Sequence, residues 1–131
     1  MTVVLAHAPA DSAEAALDAA IRQAALQESE LVIANAASHD ALADARAVAD
    51  SGLRDLVARA ESAGVRARSV HLSDADAADA ILDLTEQVDA ALLVIGVRHR
   101  SAIGKLLMGS TAQRLILEAS CPVLAVKGVP A

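Results

Sequence analysis

A basic segment near the end of the chain holds residue types that bind anions. Between Asp89 and Glu118 the sequence contains no acidic residue and four basic ones, Arg98, Arg100, Lys105 and Arg114. Within this segment, the loop that follows Gly96 ends in Gly109, Ser110 and Thr111 at a predicted helix start, where free backbone N–H groups and the helix dipole favour a phosphate. These residues predict a phosphate site, although an ordinary N-cap beside a solvated basic loop gives the same pattern.

The other polar residues give weaker indications of chemistry. His7 lies in the first loop, either as a ligand contact or as a plain loop residue, and His39 and His71 lack the spacing of a metal site. The single cysteine, Cys121, is typical of a small buried hydrophobe. No Ser–His–Asp or Cys–His arrangement indicates a nucleophile. The sequence therefore predicts neither a metal site nor an enzyme.

Alternating apolar runs and helical patterns indicate how these residues are positioned. Four apolar runs predict strands, at Thr2–Ala6, Leu31–Ala34, Ala91–Ile95 and Val123–Val126, and alternating apolar and polar residues predict a fifth at Val65–Leu72. Four helices are predicted between them, from Asp11 to about Glu28, from His39 to Ala63, from Ser73 to about Gln87, and a short one after Gly109. Asp11 with Glu14, and Ser73 with Asp76, have the spacing of helix N-caps, and Gly64 is a predicted C-cap.

This β-α-β-α-β-α-β-α-β order predicts one doubly wound α/β domain, residues 1–131, with a parallel sheet covered by helices on both faces. The strand at Val65–Leu72 is expected nearer the sheet edge. In such sheets ligands bind at the carboxyl ends of the strands, where the direction of the connections switches. The loops from Ala6 to Asp11 and from Gly96 to Ser110 are therefore the predicted walls of a ligand crevice.

Composition excludes several classes of protein. The chain has 131 residues, 55% of them hydrophobic, a net charge of −6 and no Phe, Tyr or Trp. The charge argues against binding to nucleic acid or anionic lipid. The longest apolar stretch, Ala90 to Val97, is far shorter than the roughly 20 residues of a membrane helix. Because the first basic residue is Arg22, the N-terminus lacks the pattern of a secretory signal. A cytoplasmic location is expected.

The segment from Val94 to Arg114, closed by Cys121–Val126, resembles the C-terminal half of a universal stress protein, and the predicted element order matches that family along the chain. The resemblance implies a five-stranded sheet of order 3-2-1-4-5 and a homodimer. Some members of the family bind ATP through the pattern Gly-x2-Gly-x9-Gly-(Ser/Thr). Here Gly96 matches the first glycine and Gly109 with Ser110 matches the end, so the resemblance implies ATP or AMP as the ligand.

Two positions depart from that pattern. The middle glycine falls on His99, and the Asp that follows the first strand in ATP-binding members falls on Ala8. If this backbone position needs a positive φ, the imidazole narrows the phosphate site, and sterics favour this interpretation. Alternatively His99, between Arg98 and Arg100, donates to a phosphate and makes binding pH-sensitive.

The resemblance gives each matched residue an expected role. Gly109, Ser110 and Thr111 hold phosphates, Gly96 passes close to the ribose, Arg98 or Lys105 adds charge, and the adenine lies against the main chain near Ala36.

Three functions follow from these observations. The first is a stress-response regulatory protein that binds ATP or AMP, and the second is a dimeric interaction module of the same family that binds no nucleotide. A slow ATPase ranks lowest, because no carboxylate between residues 90 and 117 is available to hold a metal or to position water.

Overall fold

The computed structural model describes residues 1–8, 12–36, 43–72, 76–97 and 109–128. The strands are β1 (Thr2–His7), β2 (Glu30–Ala36), β3 (Ala67–Leu72), β4 (Ala90–Val97) and β5 (Val123–Lys127). The helices are α1 (Ala13–Leu26), α2 (Ala43–Ser62), α3 (Ala77–Gln87) and α4 (Ser110–Glu118). The alternating order predicted from the sequence is confirmed, with element ends that differ by a few residues.

One parallel sheet of order β3-β2-β1-β4-β5 contains all five strands. This confirms the doubly wound fold and the strand order, and it places β3 at an edge as predicted. The connections move outward from β1 to β3 and then cross back to β4, so the direction switches between β1 and β4. In register, Leu5 lies beside Ile33 on β2 and beside Val94 on β4.

The two faces of the sheet carry separate aliphatic cores. Val3 and Leu5 of β1 belong to the core under α1 and α2, whereas Val4 belongs to the core under α3 and α4. This alternation is the two-residue period of a strand. Since the chain contains no aromatic side chain, both cores are filled by Leu, Ile, Val and Ala, and the alanines of α1 let that helix lie close to the sheet.

The predicted capping boxes are wrong in detail. The N-cap of α1 is Ser12, whose side chain makes no capping hydrogen bond, and Glu14 instead accepts two hydrogen bonds of 2.8 Å from Arg59 on α2. These bonds hold the pKa of Glu14 below its ordinary value. The N-cap of α3 is Asp76, whose Oδ1 accepts from the backbone N–H groups of Ala78 and Asp79. Asp11, Ser73 and the predicted start of α2 at His39 lie outside the described residues.

Left-handed backbone follows three of the described helices, at Glu28, Gly64 and Asp89. Gly64 has φ +84° after α2, which confirms it as the helix C-cap. Glu28 has φ +51°, a conformation incompatible with the right-handed helix. The predicted end of α1 at Glu28 is therefore two residues too far, and the helix ends at Leu26.

The same substitution at a buried leucine and at an exposed leucine tests this core. Leu5 is 1% exposed and Leu117 is 81% exposed. We expect Leu5→Ala to lower the free energy of unfolding by about 2–5 kcal/mol, because it removes buried surface and leaves a cavity. Leu117→Ala should change it by about 0.5 kcal/mol or less. Urea unfolding measures both, and equal effects would contradict the burial of β1.

Candidate functional site

A cavity of about 340 Å³ opens at the carboxyl ends of β1 and β4. It lies at the predicted switch point, and residues of both predicted loops or their flanks contribute to its wall. Most of the described lining residues are small or aliphatic, with three polar side chains among them. They are Ala6, His7, Ala8, Ser12, Ala77, Ile81, Ile95, Gly96, Val97, Gly109, Thr111, Ala112 and Leu115.

Gly96 is required where the start of α1 rests on β4. A Cβ atom built at this position overlaps Ser12 Oγ, closer than real Cβ atoms approach other atoms, and lies 3.0 Å from Ser12 Cβ. Ser12 is 3% exposed, so its side chain has room to move aside only towards the cavity that it lines. This packing explains the glycine within the fold itself, in addition to the role that the family resemblance implies for it.

The first turn of α4 forms one end of the cavity. Gly109 is the N-cap, with extended φ and ψ of −68° and 162°, and it supplies no capping side chain. The first N–H groups of a helix have no intrahelical acceptor, and Gly109 offers them no side-chain acceptor either. A Cβ at Gly109 meets no described atom within 4 Å, so neither conformation nor described packing requires a glycine here. Thr111 also lines the cavity, and Ser110 is exposed beside it.

Arg114 holds α4 against α3 beside this end of the cavity. Its guanidinium donates to Asp76 Oδ2 at 3.0 Å, to Asp79 Oδ1 at 2.6 Å and to Glu118 Oε2 at 2.9 Å. The hydrogen bond to Glu118 first, and the one to Asp79 next, raise the pKa of Arg114. Three carboxylates therefore surround one of the four basic residues that the sequence analysis counted in the basic segment.

His7 and Ser12 border the cavity at its other end. His7 is the last residue of β1, and burial lowers the pKa of its imidazole. The sequence analysis gave His7 only as a weak candidate and missed Ser12, because it assigned the helix cap to Asp11. The sequence contained a signal for this contact, because Ser12 is a small polar residue near the predicted helix start and Gly96 is a glycine at the end of a predicted strand.

The remaining predicted site residues are only partly described. Ala36 is the last residue of β2 and lies in register with Leu72, whereas Arg98 and His99 lie outside the described residues. Whether His99 narrows the phosphate site or donates to the phosphate stays a prediction. Cys121 is half-buried against the core under α3 and α4, and burial raises the pKa of its thiol.

Among the described residues, no group of three or more His, Cys, Asp and Glu side chains lies so that it could hold a metal ion. Within the same ranges, every helix is too short or too polar to cross a bilayer.

Comparison with known proteins agrees with the fold and identifies the family. A model of the universal stress protein family matches residues 1–127. A universal stress protein of Mycolicibacterium smegmatis is 38% identical over 125 residues, which cover 95% of this chain and 96% of that protein.

Two solved structures are similar over nearly their whole length. The universal stress protein from Archaeoglobus fulgidus in complex with dAMP is 25% identical, with 96% of each chain covered and a TM-score of 0.77. A universal stress protein in complex with cAMP is 30% identical, with 98% of each chain covered and a TM-score of 0.73.

The contact between Gly96 and Ser12 predicts a compensating pair of substitutions. Gly96→Ala should lower the free energy of unfolding by about 1–3 kcal/mol, because its methyl group overlaps Ser12. In a Ser12→Gly background the same change should cost clearly less, because both overlapping atoms are gone. A double-mutant cycle of urea unfolding measures this coupling, and strictly additive effects would refute the contact.

Proposed function

Because the chain belongs to the universal stress protein family, we propose that it is a stress-response regulatory protein that binds ATP or AMP in the cavity at the carboxyl ends of β1 and β4. The observation that carries the proposal is the position of this cavity, at the switch point of the sheet and against a helix start without a side-chain cap. Such a helix start offers free N–H groups and a partial positive charge to an anion.

The phosphate end of the proposed site is the first turn of α4. No described atom lies within 4 Å of a Cβ built at Gly109, and the hydroxyls of Ser110 and Thr111 can act as donors. We propose that Gly96 lies close to the ribose and that the main chain near Ala36 contacts the adenine. Arg98 and His99 are proposed to contact the ligand from the loop between β4 and α4. The helix dipole adds about 0.3–1 kcal/mol for each nearby anionic charge.

The relatives support a nucleotide with an adenine and a single phosphate. dAMP and cAMP, the ligands of the two similar structures, share these two groups. By this analogy AMP fits the proposal better than ATP does. Binding rather than hydrolysis is proposed, since the described lining of the cavity contains no carboxylate, and phosphoryl transfer needs one to hold its metal.

A second proposal concerns the homodimer that the family resemblance implies. β5 is the last strand of the sheet, and Leu93 N–H donates to Pro122 C=O at 2.9 Å. In a parallel ladder alternate residues bond to the same neighbour, so the backbone groups of Ala125 point away from β4. This edge is the proposed contact with a second copy, because an exposed edge invites strand pairing.

Nucleotide binding is tested by ligand-dependent stability. AMP at 100 times its Kd should raise the free energy of unfolding by about 2.7 kcal/mol. Gly109→Asp should abolish this gain while leaving the ligand-free protein at least as stable, because Asp caps a helix well but repels phosphate. Gly109→Asn, which caps without charge, is the matched control and should keep more of the gain. Thermal unfolding with AMP, ATP and phosphate measures these effects.

The missing aromatic residues provide an independent check. Without Trp, Tyr or Phe, any absorbance band near 260 nm in the purified protein comes from a bound base. Failure of both AMP and ATP to stabilise the wild-type protein would refute the proposal and favour the interaction module without a nucleotide.

The dimer is tested at the outward edge of β5. Ala125→Pro removes an outward N–H group while leaving the hydrogen bonds to β4 in place, so it should convert a dimer to a folded monomer. Ala125→Val, which keeps the N–H group, is the control and should stay dimeric. Light scattering after size exclusion gives the mass. A monomeric wild-type protein, or a dimeric proline variant, would refute this edge as the interface.

A further inference from the structure

A second cavity, of about 430 Å³, opens at the opposite edge of the sheet, where β2 and β3 begin. Its described lining shares no residue with the cavity at the carboxyl ends of β1 and β4. One side consists of residues that follow α1, and the other of residues that follow α2. They are Glu28, Ser29 and Glu30 on the first side and Gly64, Val65 and Arg66 on the second. The two cavities can therefore hold different ligands.

Both helices present their C-terminal ends to this cavity in the same way. After α1 the backbone N–H of Ser29 donates to the C=O of Ala24 at 2.9 Å, and after α2 that of Val65 donates to the C=O of Ala60 at 3.0 Å. These are bonds of the Schellman motif. The last carbonyl groups of a helix give its end a partial negative charge, so two such ends make the cavity favourable for a cation.

Glu28 lies there against two local preferences. Its φ of +51° is a left-handed conformation that favours glycine, and Gly64 fills the matching position after α2. The last turn of α1 contains no basic residue, although the helix dipole favours a cation near this end and disfavours a carboxylate. Glu28 is exposed and forms no ion pair within the described residues. A bound cation would balance its charge.

Arg66 is the unpaired charge on the other side of the cavity. Its neighbour Arg68 donates to Glu30 Oε1 at 2.9 Å, so the carboxylate of Glu30 already has a cation. Among the residues that the structure describes, Arg66 forms no ion pair. A guanidinium group binds a carboxylate through two parallel N–H donors. The lining thus favours a ligand with an ammonium group at one end and a carboxylate at the other.

The buried part of the lining suits the ammonium group and a short aliphatic chain. Ser29 is 7% exposed, and its hydroxyl donates to the C=O of Gln27 at 3.3 Å. Its oxygen can therefore still accept a hydrogen bond from a ligand. Ala24 and Val65, both buried, add an apolar surface for methylene groups. Since the chain contains no aromatic ring to cage a quaternary ammonium ion, a primary ammonium group fits this lining better.

We propose that this second cavity binds a short ω-amino acid as its zwitterion. Glu28 and Ser29 bind the ammonium group at the end of α1. Arg66 binds the carboxylate, and the methylene groups pack on Ala24 and Val65. This site is separate from the proposed nucleotide site, so neither proposal depends on the other.

Four small probes test whether both charges are needed and must be apart. 4-Aminobutanoate carries an ammonium group and a carboxylate at opposite ends. Butylamine and butanoate carry one of these groups each, and 2-aminobutanoate carries both side by side. In the ¹⁵N-labelled wild-type protein, 4-aminobutanoate should shift the backbone amide resonances of Ser29 and Val65. At the same concentration the other three probes should shift them clearly less, because each loses one of the two charge contacts.

Charge-neutralising variants test the two residues. Glu28→Gln and Arg66→Gln should each weaken 4-aminobutanoate about two- to fivefold, as expected for the loss of one exposed ion pair. Glu86→Gln and Arg54→Gln make the same changes at exposed residues outside the cavity, and they should leave the affinity unchanged. Stabilisation by AMP should be the same in all four variants as in the wild-type protein.

Glu28→Gly separates a binding role from a structural one. Glycine removes the carboxylate and suits the left-handed backbone, so this variant should unfold at a higher urea concentration than the wild-type protein while binding 4-aminobutanoate more weakly. Lower stability of this variant would make Glu28 a structural residue and overturn its assignment.

The remaining outcomes are equally decisive. Amide resonances of Ser29 and Val65 that do not respond to 4-aminobutanoate would overturn the site. Equal binding of butylamine or butanoate would overturn the zwitterion, and equal binding of 2-aminobutanoate would overturn the separation of the two charges. Loss of AMP binding alone would refute the proposed nucleotide site and leave this one standing.

Discussion

Parallel pairing of β1 with β4 is the contact on which the rest of the structure depends. It brings together two segments far apart in the sequence, and it is where the outward path of the chain reverses. At this reversal the connections after β1 and β4 lead away from each other, which leaves a crevice at the carboxyl edge of the sheet. Gly96 of β4 has no side chain, so the start of α1 can pack directly against this strand. The pairing of β1 with β4 therefore accounts for both the cavity and the position of α1.

The two helix starts beside the cavity, those of α3 and α4, differ in how their backbone N–H groups are capped. The start of α3 is satisfied by its own Asp76, which also binds Arg114 of α4. The start of α4, by contrast, has no capping side chain. The carboxylate of Asp76 therefore occupies the N–H groups at the start of α3, where an anion would otherwise bind. Through its ion pair with Arg114, the same carboxylate fixes the position of the start of α4. The ion pairs are exposed, so each contributes modestly to stability. Their consequence is geometric, because they set where the free N–H groups of α4 lie.

The sequence predicted the fold well because its signals are local and repeated. Apolar runs such as Ala91–Ile95 coincide with observed strands, and Gly64 marks a helix end by its backbone alone. The strand order came from the family resemblance. Prediction failed where the answer depends on a distant partner. Glu14 has the spacing of a capping residue, but Arg59 on another helix takes its carboxylate. Arg114 was counted only as part of the basic segment because two of its three partners, Asp76 and Asp79, lie at the start of α3, far away in sequence. Ser12 was missed because the helix cap was assigned to Asp11, and its contact with Gly96 spans most of the chain.

The contact between Ser12 and Gly96 has a consequence for the order of folding. β1, α1 and β2 are consecutive and can associate early, but the start of α1 has its final neighbour only after β4 has joined the sheet. Contacts of such large sequence separation require the closure of a long loop. The cavity therefore takes shape only once β4 has paired with β1. A chain stalled before that step holds a nearly complete half-sheet and no ligand pocket, so any bound ligand would mark the molecules that have finished folding.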